Sequence, residues 1–268
     1  YFLSRPRRFG KSLLLSTLRA YFEGKKDLFA GLKIDALEHD WHVHRVFHFD
    51  FNGVDFTLPG ALHLKIDGYL HDWEKEFGIS PGVDTNLGSR FNRILQAAAE
   101  QTGRGAVVLV DEYDKPLLDV LDMNPKVLTE NREMLKAFYS VFKLADEYLR
   151  FVFLTGVTKF SQVSVFSGFN QPKDISMMSK YDALCGITEA EMHRYFKEPI
   201  REMTEMEGCC EEEMAERLKQ RYDGYHFSTR LTDIYNPFSV LNALDSQRIG
   251  NYWFATGTPT YLIRLLNH

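Results

Sequence analysis

The sequence has few cysteines, no long apolar run and no excess of positive charge. Its three cysteines (Cys185, Cys209 and Cys210) are too few and too unevenly spaced for a disulfide framework or a zinc site. No run of about 18 apolar residues predicts a transmembrane helix, and no secretory segment is recognisable. The net charge of −5 argues against a general nucleic-acid-binding surface. These features favour a cytoplasmic protein with reduced thiols.

What the chain does contain is ample material for a hydrophobic core. Of its 268 residues 44% are hydrophobic, and 21 are Phe, which predicts about one to two globular domains. The first residue is Tyr1 rather than Met, inside a predicted strand, and the sequence ends with "TYLIRLLNH", inside a predicted helix. We therefore expect a fragment of a longer protein.

Apolar runs alternate with helical periodicity along the first two thirds of the chain. The runs "VFHFDF" (46–51), "AVVLV" (106–110) and "RFVFLT" (150–155) are typical of buried parallel strands. The stretches "RFNRILQAAAEQ" and "REMLKAFYSVFKLADEYL" have the spacing of amphipathic helices. This alternation predicts a three-layer α/β fold with a mostly parallel sheet.

After residue 186 the pattern predicts helices only. Thr188 and Glu191 fit a capping box, and Asn236-Pro237 and Thr258-Pro259 each fit a helix start. We therefore predict an α/β core at 1–186, incomplete at its N-terminus, and a helical lid subdomain at 187–268, truncated at its C-terminus.

The most informative motif is "RPRRFGKS", which follows the predicted strand "YFL" and opens a helix with an apolar stripe. A glycine, a lysine and a serine in this order are typical of a phosphate-binding loop. Gly10 lets the backbone approach the phosphates, Lys11 bridges them, and the Ser12 hydroxyl binds Mg²⁺. We expect the Lys11 side chain to be exposed at the loop. The predicted nucleotide-binding residues are Arg8, Phe9, Gly10, Lys11, Ser12 and Leu13.

One residue departs from the full pattern, G-x-x-x-x-G-K-[ST]. Arg5 stands where the first glycine is expected. That glycine eases the bend from strand to loop and does not itself touch the phosphates in this scheme. Two interpretations remain open: Arg5 only shapes the loop entrance, or it contacts the nucleotide or locks the loop.

A second motif is the acidic end of the strand "AVVLVDEYDK". Acids at the carboxyl end of a parallel strand lie where open α/β sheets bind ligands, as in a Walker B segment. Asp111 would hold Mg²⁺ together with Ser12, and Glu112 would activate the attacking water. Thr155, which ends the next apolar strand, is a candidate sensor of the γ-phosphate. We therefore predict Glu112, Lys11 and Thr155 as catalytic residues and Ser12 and Asp111 as metal ligands.

Blocks along the whole chain resemble the AAA-ATPase-like family common in gut Bacteroidetes and clostridia. The resemblance rests on "YFLSRPRRFGKSLLLSTLRAYFEG", "LVDEYDKPL", "LTGVTKFSQVSVFSGFNQPKDIS", "YDALCGIT", "RYDGYHF", "YNPFSVLNAL" and "YWFATGTPTYL", in that order. It implies a P-loop NTPase fold in which arginine at the first-glycine position is usual. It also implies a helical lid, a GxP element at Gly257-Thr258-Pro259, and a C-terminal PD-(D/E)xK nuclease-like domain outside this sequence.

Together these observations predict a bacterial Mg-dependent ATPase. It would act as a motor or switch for an attached or partner domain, with DNA as a partner through the nuclease-like domain. The alternative is a regulatory module that binds nucleotide and hydrolyses it slowly or not at all. Turnover separates these two hypotheses.

Overall fold

The computed structural model describes residues 1–80, 85–158 and 172–253. The chain forms two compact units. The first, which we call the sheet unit, comprises Tyr1–Ser4 and Ser12–Lys173, and the second, the C-terminal unit, comprises Arg5–Lys11 and Asp174–His268. In the described part, no helix has both the length and the apolar character needed to cross a membrane. The domain boundary predicted after residue 186 stays a prediction.

The sheet unit is built on four parallel strands, which confirms the predicted α/β class. Their order across the sheet is β1-β4-β3-β2, so β4 lies between the strand before the glycine loop and the strand that ends in Asp111. The strands are β1 (Phe2–Ser4), β2 (Val46–Asp50), β3 (Ala106–Asp111) and β4 (Leu149–Gly156).

The apolar runs form these strands because both faces of the sheet are covered. Every residue of β3 is buried. On β2, the buried rings of Phe47 and Phe49 each make an edge-on contact with Phe91 and with Trp73. Such aromatic pairs add to the free energy gained from burial alone.

Two helices of the sheet unit begin at side-chain caps. The Asn86 side chain caps one helix, which ends before Gly103 in the left-handed conformation, and Asn124 followed by Pro125 caps another. The helix predicted across residues 132–149 is interrupted at Ser140. The helices are α1 (Lys11–Phe22), α2 (Lys33–Leu37), α3 (Ala61–Glu76), α4 (Leu87–Thr102), α5 (Lys115–Leu118), α6 (Pro125–Tyr139) and α7 (Val141–Leu144), with 3-10 turns at Lys26–Phe29 and Asp146–Tyr148.

The C-terminal unit is mostly helical but is not made of helices only. Two short strands, β5 (Ile187–Thr188) and β6 (Ile234–Tyr235), pair antiparallel, which the sequence analysis missed. The capping box of Thr188 with Glu191 is confirmed. The helices are α8 (Glu189–Tyr195), α9 (Lys197–Glu207), α10 (Glu211–Tyr222) and α11 (Pro237–Asp245), with a 3-10 turn at Ser179–Tyr181. The predicted helix start at Thr258-Pro259 and the GxP element lie outside the described residues.

Candidate nucleotide site

Four of the predicted site residues meet at the carboxyl end of the sheet. The Ser12 hydroxyl donates a hydrogen bond of 2.5 Å to Asp111 Oδ2, although the two residues are 99 positions apart. The Thr155 hydroxyl donates to Asp111 Oδ1 at 2.8 Å. The backbone N–H of Glu112 donates to the same Oδ1 at 3.0 Å. The Asp111 carboxylate is therefore the centre of this cluster.

The strand register explains why these side chains converge. Asp111 is the last residue of β3, and Thr155 is the last but one of β4, which pairs with β3 on one side and with β1 on the other. Carboxyl ends of parallel strands share one edge of a sheet, where ligands of α/β proteins bind. Ser12 reaches this edge because it lies in the first turn of α1.

The Ser12 and Asp111 oxygens fit a magnesium ion chemically. Mg²⁺ takes hard oxygen ligands and is usually held by one or two carboxylates, with phosphates and waters completing the octahedron. Within the described residues, no group of three or more His, Cys, Asp or Glu side chains could hold a metal by itself. Phosphate and water are the usual remaining ligands of a Mg²⁺ ion held by two protein oxygens.

Glu112, the predicted base, has an unusual backbone. Its φ is +51°, the left-handed region that residues other than glycine rarely adopt. The side chain is half-buried. Strained backbone of this kind often occurs at functional sites, where the surrounding structure holds it in place.

The turn after β3 also holds the end of β4, which sequence reasoning missed. The Tyr113 N–H donates to the Thr155 carbonyl at 3.0 Å. Asp114 Oδ2 accepts hydrogen bonds from Val157 N at 3.0 Å, Thr158 N at 2.7 Å and Thr158 Oγ1 at 2.6 Å. The backbone that carries Thr155 is thereby fixed to the turn that carries Glu112.

Asp114 is buried, with only 1% of its surface exposed. Burial raises the pKa of its carboxyl, and the hydrogen bonds from Thr158 and Val157 oppose that rise. The only sequence signal for this role is the spacing of "DEYD", in which a second aspartate follows Asp111 three positions later.

Gly156 allows these contacts because no side chain would fit there. A Cβ at Gly156 would lie 2.4 Å from Tyr113 Cε1 and 2.7 Å from Asp114 Oδ1. We expect Gly156→Ala to lower the free energy of unfolding by about 1–3 kcal/mol through overpacking. Chemical denaturation of the purified variant measures this change.

A second glycine provides the matched control. Gly68 lies in α3 and is exposed, and a Cβ added there would meet nothing within 4 Å beyond the helix's own backbone. Gly68→Ala should therefore raise the free energy of unfolding by about 0.5–1 kcal/mol, since alanine favours a helix interior. Equal effects of the two substitutions would contradict the packing argument.

The loop residue Lys11 is not exposed, so that expectation was wrong. Its side chain is buried, with 6% of the residue's surface exposed. The ammonium group donates to the carbonyl oxygens of Arg5 at 3.0 Å and Pro6 at 3.1 Å. Backbone carbonyls of the loop thus accept hydrogen bonds from the Lys11 ammonium, the group that the sequence predicts to bind phosphate.

The other predicted loop residues differ in what they could offer a ligand. Gly10 has φ +84°, a conformation that favours glycine, and among the described residues no atom lies within 4 Å of the place that a Cβ would take there. Arg8 has φ +127° and places its guanidinium 4.6 Å from the centre of the Phe238 ring. Phe9 is buried and Leu13 is 71% exposed, so only their backbone N–H groups are candidates for phosphate binding.

Comparisons with known proteins identify the family of the chain. A family model described as "Predicted AAA-ATPase" matches residues 1–166. An "Uncharacterized protein in vnfD 5'region" from Azotobacter chroococcum mcd 1 is 41% identical over 267 residues, which cover 99% of this chain. The match covers 49% of that relative, so the chain spans about half its length. No solved structure matches the chain.

Proposed function

The chain belongs to the family described as "Predicted AAA-ATPase", and from that premise we propose that it binds ATP with Mg²⁺ and hydrolyses it. The observation that carries the proposal is the hydrogen bond from Ser12 to Asp111. The residue after the glycine-lysine pair and the acid at the end of β3 are the two protein ligands that such a site needs.

Each residue of the site has a role that its chemistry supports. Lys11 and the backbone N–H groups around Gly10 would bind the β- and γ-phosphates. Ser12 and Asp111 would hold Mg²⁺, which supplies charge neutralisation on the phosphate oxygens when it is bound. Glu112 would orient the attacking water and accept its proton. Thr155, fixed against Asp111, would hydrogen-bond the γ-phosphate or that water.

We propose further that the ATPase acts as a motor or switch for another domain. The relative of about twice the length supports the presence of further chain in related proteins. The nuclease-like domain implied by the sequence resemblance, and DNA as its ligand, remain proposals, as does the cytoplasmic location.

The first test is ATP hydrolysis by the purified protein with Mg²⁺ or with EDTA, in the presence and absence of DNA. We expect turnover that requires Mg²⁺.

Asp111→Asn should weaken Mg-dependent ATP binding at least about tenfold, or about 1.4 kcal/mol, because the neutral amide is a poorer Mg²⁺ ligand. Calorimetric titrations with and without Mg²⁺ measure this difference.

The matched control is Asp72→Asn, which removes an exposed carboxylate from α3. It should leave both titrations unchanged. Equal Mg-ATP affinity for wild type and Asp111→Asn would contradict the assignment of Asp111. Tight ATP binding by the wild type with no turnover under any condition would favour the slow regulatory module instead.

A further inference from the structure

Arg5, at the position of the missing glycine, is one of the largest fully buried side chains of the protein, with 1% of its surface exposed. Its guanidinium donates three hydrogen bonds to backbone carbonyls of the same unit. Nε bonds to Leu184 O at 3.0 Å, Nη1 to Ser176 O at 2.7 Å and Nη2 to Tyr181 O at 2.9 Å. The planar guanidinium of arginine holds its N–H donors in fixed directions, so that it can bind three separate carbonyls at once. A lysine ammonium cannot reproduce this geometry.

Aromatic rings also contact the loop. The Arg5 guanidinium carbon lies 4.0 Å from the centre of the Phe227 ring. The Phe9 ring makes edge-on contacts with Phe227 at 5.5 Å and with Tyr225 at 4.7 Å. The motif "RYDGYHF", to which the sequence analysis gave no chemical role, thus contacts the loop at both Arg5 and Phe9.

The buried arginine remains a cation at neutral pH. Burial lowers the pKa of Arg5 to about 10, while the neighbouring groups of Cys185, Asp182 and Asp174 oppose the lowering. A group with this pKa is protonated at pH 7, so all its nitrogens act as donors. The carbonyls therefore hold a charged group, and such hydrogen bonds are stronger than neutral ones.

Lys11 connects Arg5 to the proposed phosphate-binding site. Its ammonium donates to the carbonyl of Arg5 itself, whose side chain holds the carbonyls of residues 176–184. A bound phosphate would compete with that carbonyl for the ammonium, because an anionic acceptor is the stronger partner. A change in the hydrogen bonds of the Lys11 ammonium would therefore act directly on the backbone of Arg5.

We infer that Arg5 is a positioning residue that makes the phosphate loop part of the C-terminal unit and transmits nucleotide binding to residues 176–184 and 225–227. This inference rests on the proposed function, and it answers the question left open at Arg5. The arginine locks the loop, where a glycine would only let it bend.

The test uses the full chain and two readouts: Mg-ATP affinity by calorimetry, and amide hydrogen exchange of residues 176–184 measured without and with Mg-ATP. Wild type should show a change in exchange on adding nucleotide. Arg5→Gly, which restores the glycine of the standard pattern, should lose more than about tenfold in affinity and should lose the exchange response. Millimolar ethylguanidinium, which replaces the missing donors, should restore both.

Two further variants keep the inference testable. Arg7→Gly removes an exposed guanidinium from the same loop and reports the effect of positive charge alone. If Arg5→Gly does not fold, Phe227→Leu removes only the ring beneath Arg5 and Phe9, and it should reduce the exchange response.

The outcomes separate this inference from the proposed function. If wild type binds no Mg-ATP, the proposed function and the inference are both contradicted. If wild type binds and Arg5→Gly keeps its affinity within tenfold with an unchanged exchange response, only the inference falls. A folded Arg5→Gly that ethylguanidinium does not restore, or a folded Phe227→Leu with the wild-type response, also overturns it.

Discussion

Lys11→Ala is expected to abolish measurable Mg-ATP binding. A lysine ammonium in contact with phosphate makes charge-assisted hydrogen bonds worth about 1.5–3 kcal/mol each, so each lost contact lowers affinity about tenfold or more. The buried position of Lys11 adds a second effect. The carbonyls of Arg5 and Pro6 lose their ionic donor, and the free energy of unfolding should fall by about 1–3 kcal/mol.

Calorimetry below the unfolding midpoint separates the two effects, with circular dichroism to show that the variant is folded. Lys126→Ala is the matched control, because the Lys126 side chain is 87% exposed. It should change neither affinity nor stability by more than about 0.5 kcal/mol. A folded Lys11→Ala with wild-type affinity would remove the phosphate-binding role from this loop.

The sheet could be predicted from the sequence because its strands are short apolar runs. The runs at 46–51, 106–110 and 150–155 correspond to β2, β3 and β4, with ends that differ by one residue. β3 is buried on both faces and has no polar residue before Asp111, so its apolar pattern is continuous and easy to recognise. Polar residues at the strand ends then indicated the edge at which the candidate site lies.

Helix caps were equally predictable, but short pairings were not. A capping box such as Thr188 with Glu191 is a local feature, and its hydrogen bonds join residues three positions apart. The strands β5 and β6 have two residues each and show no period of their own. Their pairing depends on contacts between segments more than 40 residues apart, which no local pattern records.

The buried charges were beyond sequence reasoning for the same physical reason. Arg5, Lys11 and Asp114 are residue types that are mostly exposed, and each is buried here with backbone groups among its hydrogen-bond partners. The three carbonyl oxygens that accept hydrogen bonds from the Arg5 guanidinium are 171 to 179 positions away along the chain. The expectation that Lys11 is exposed was therefore wrong, and the local sequence at Arg5 could not decide between its two interpretations.

The second large effect is expected at Glu112, and it decides between an ATPase and a slow switch. Glu112 follows Asp111, whose carboxylate accepts hydrogen bonds from Ser12, from Thr155 and from Glu112 N–H. A carboxylate beside the metal ligands can orient water and accept its proton. Glutamine keeps the shape but cannot act as that base. Glu112→Gln should therefore retain Mg-ATP binding while hydrolysis falls about a hundredfold or more.

The strained backbone at Glu112 allows a second prediction, in which stability and turnover change in opposite directions. Glycine adopts φ +51° without strain, so Glu112→Gly should raise the free energy of unfolding by about 1 kcal/mol while it abolishes turnover. Asp122→Gly is the matched control: this exposed acid has φ +63° and lies outside the site, so it should gain stability and keep full turnover. Steady-state hydrolysis, calorimetry and chemical denaturation of the three variants measure these effects. If Glu112→Gln hydrolyses ATP at the wild-type rate, the base is another group, and the strain at Glu112 serves only the turn after β3.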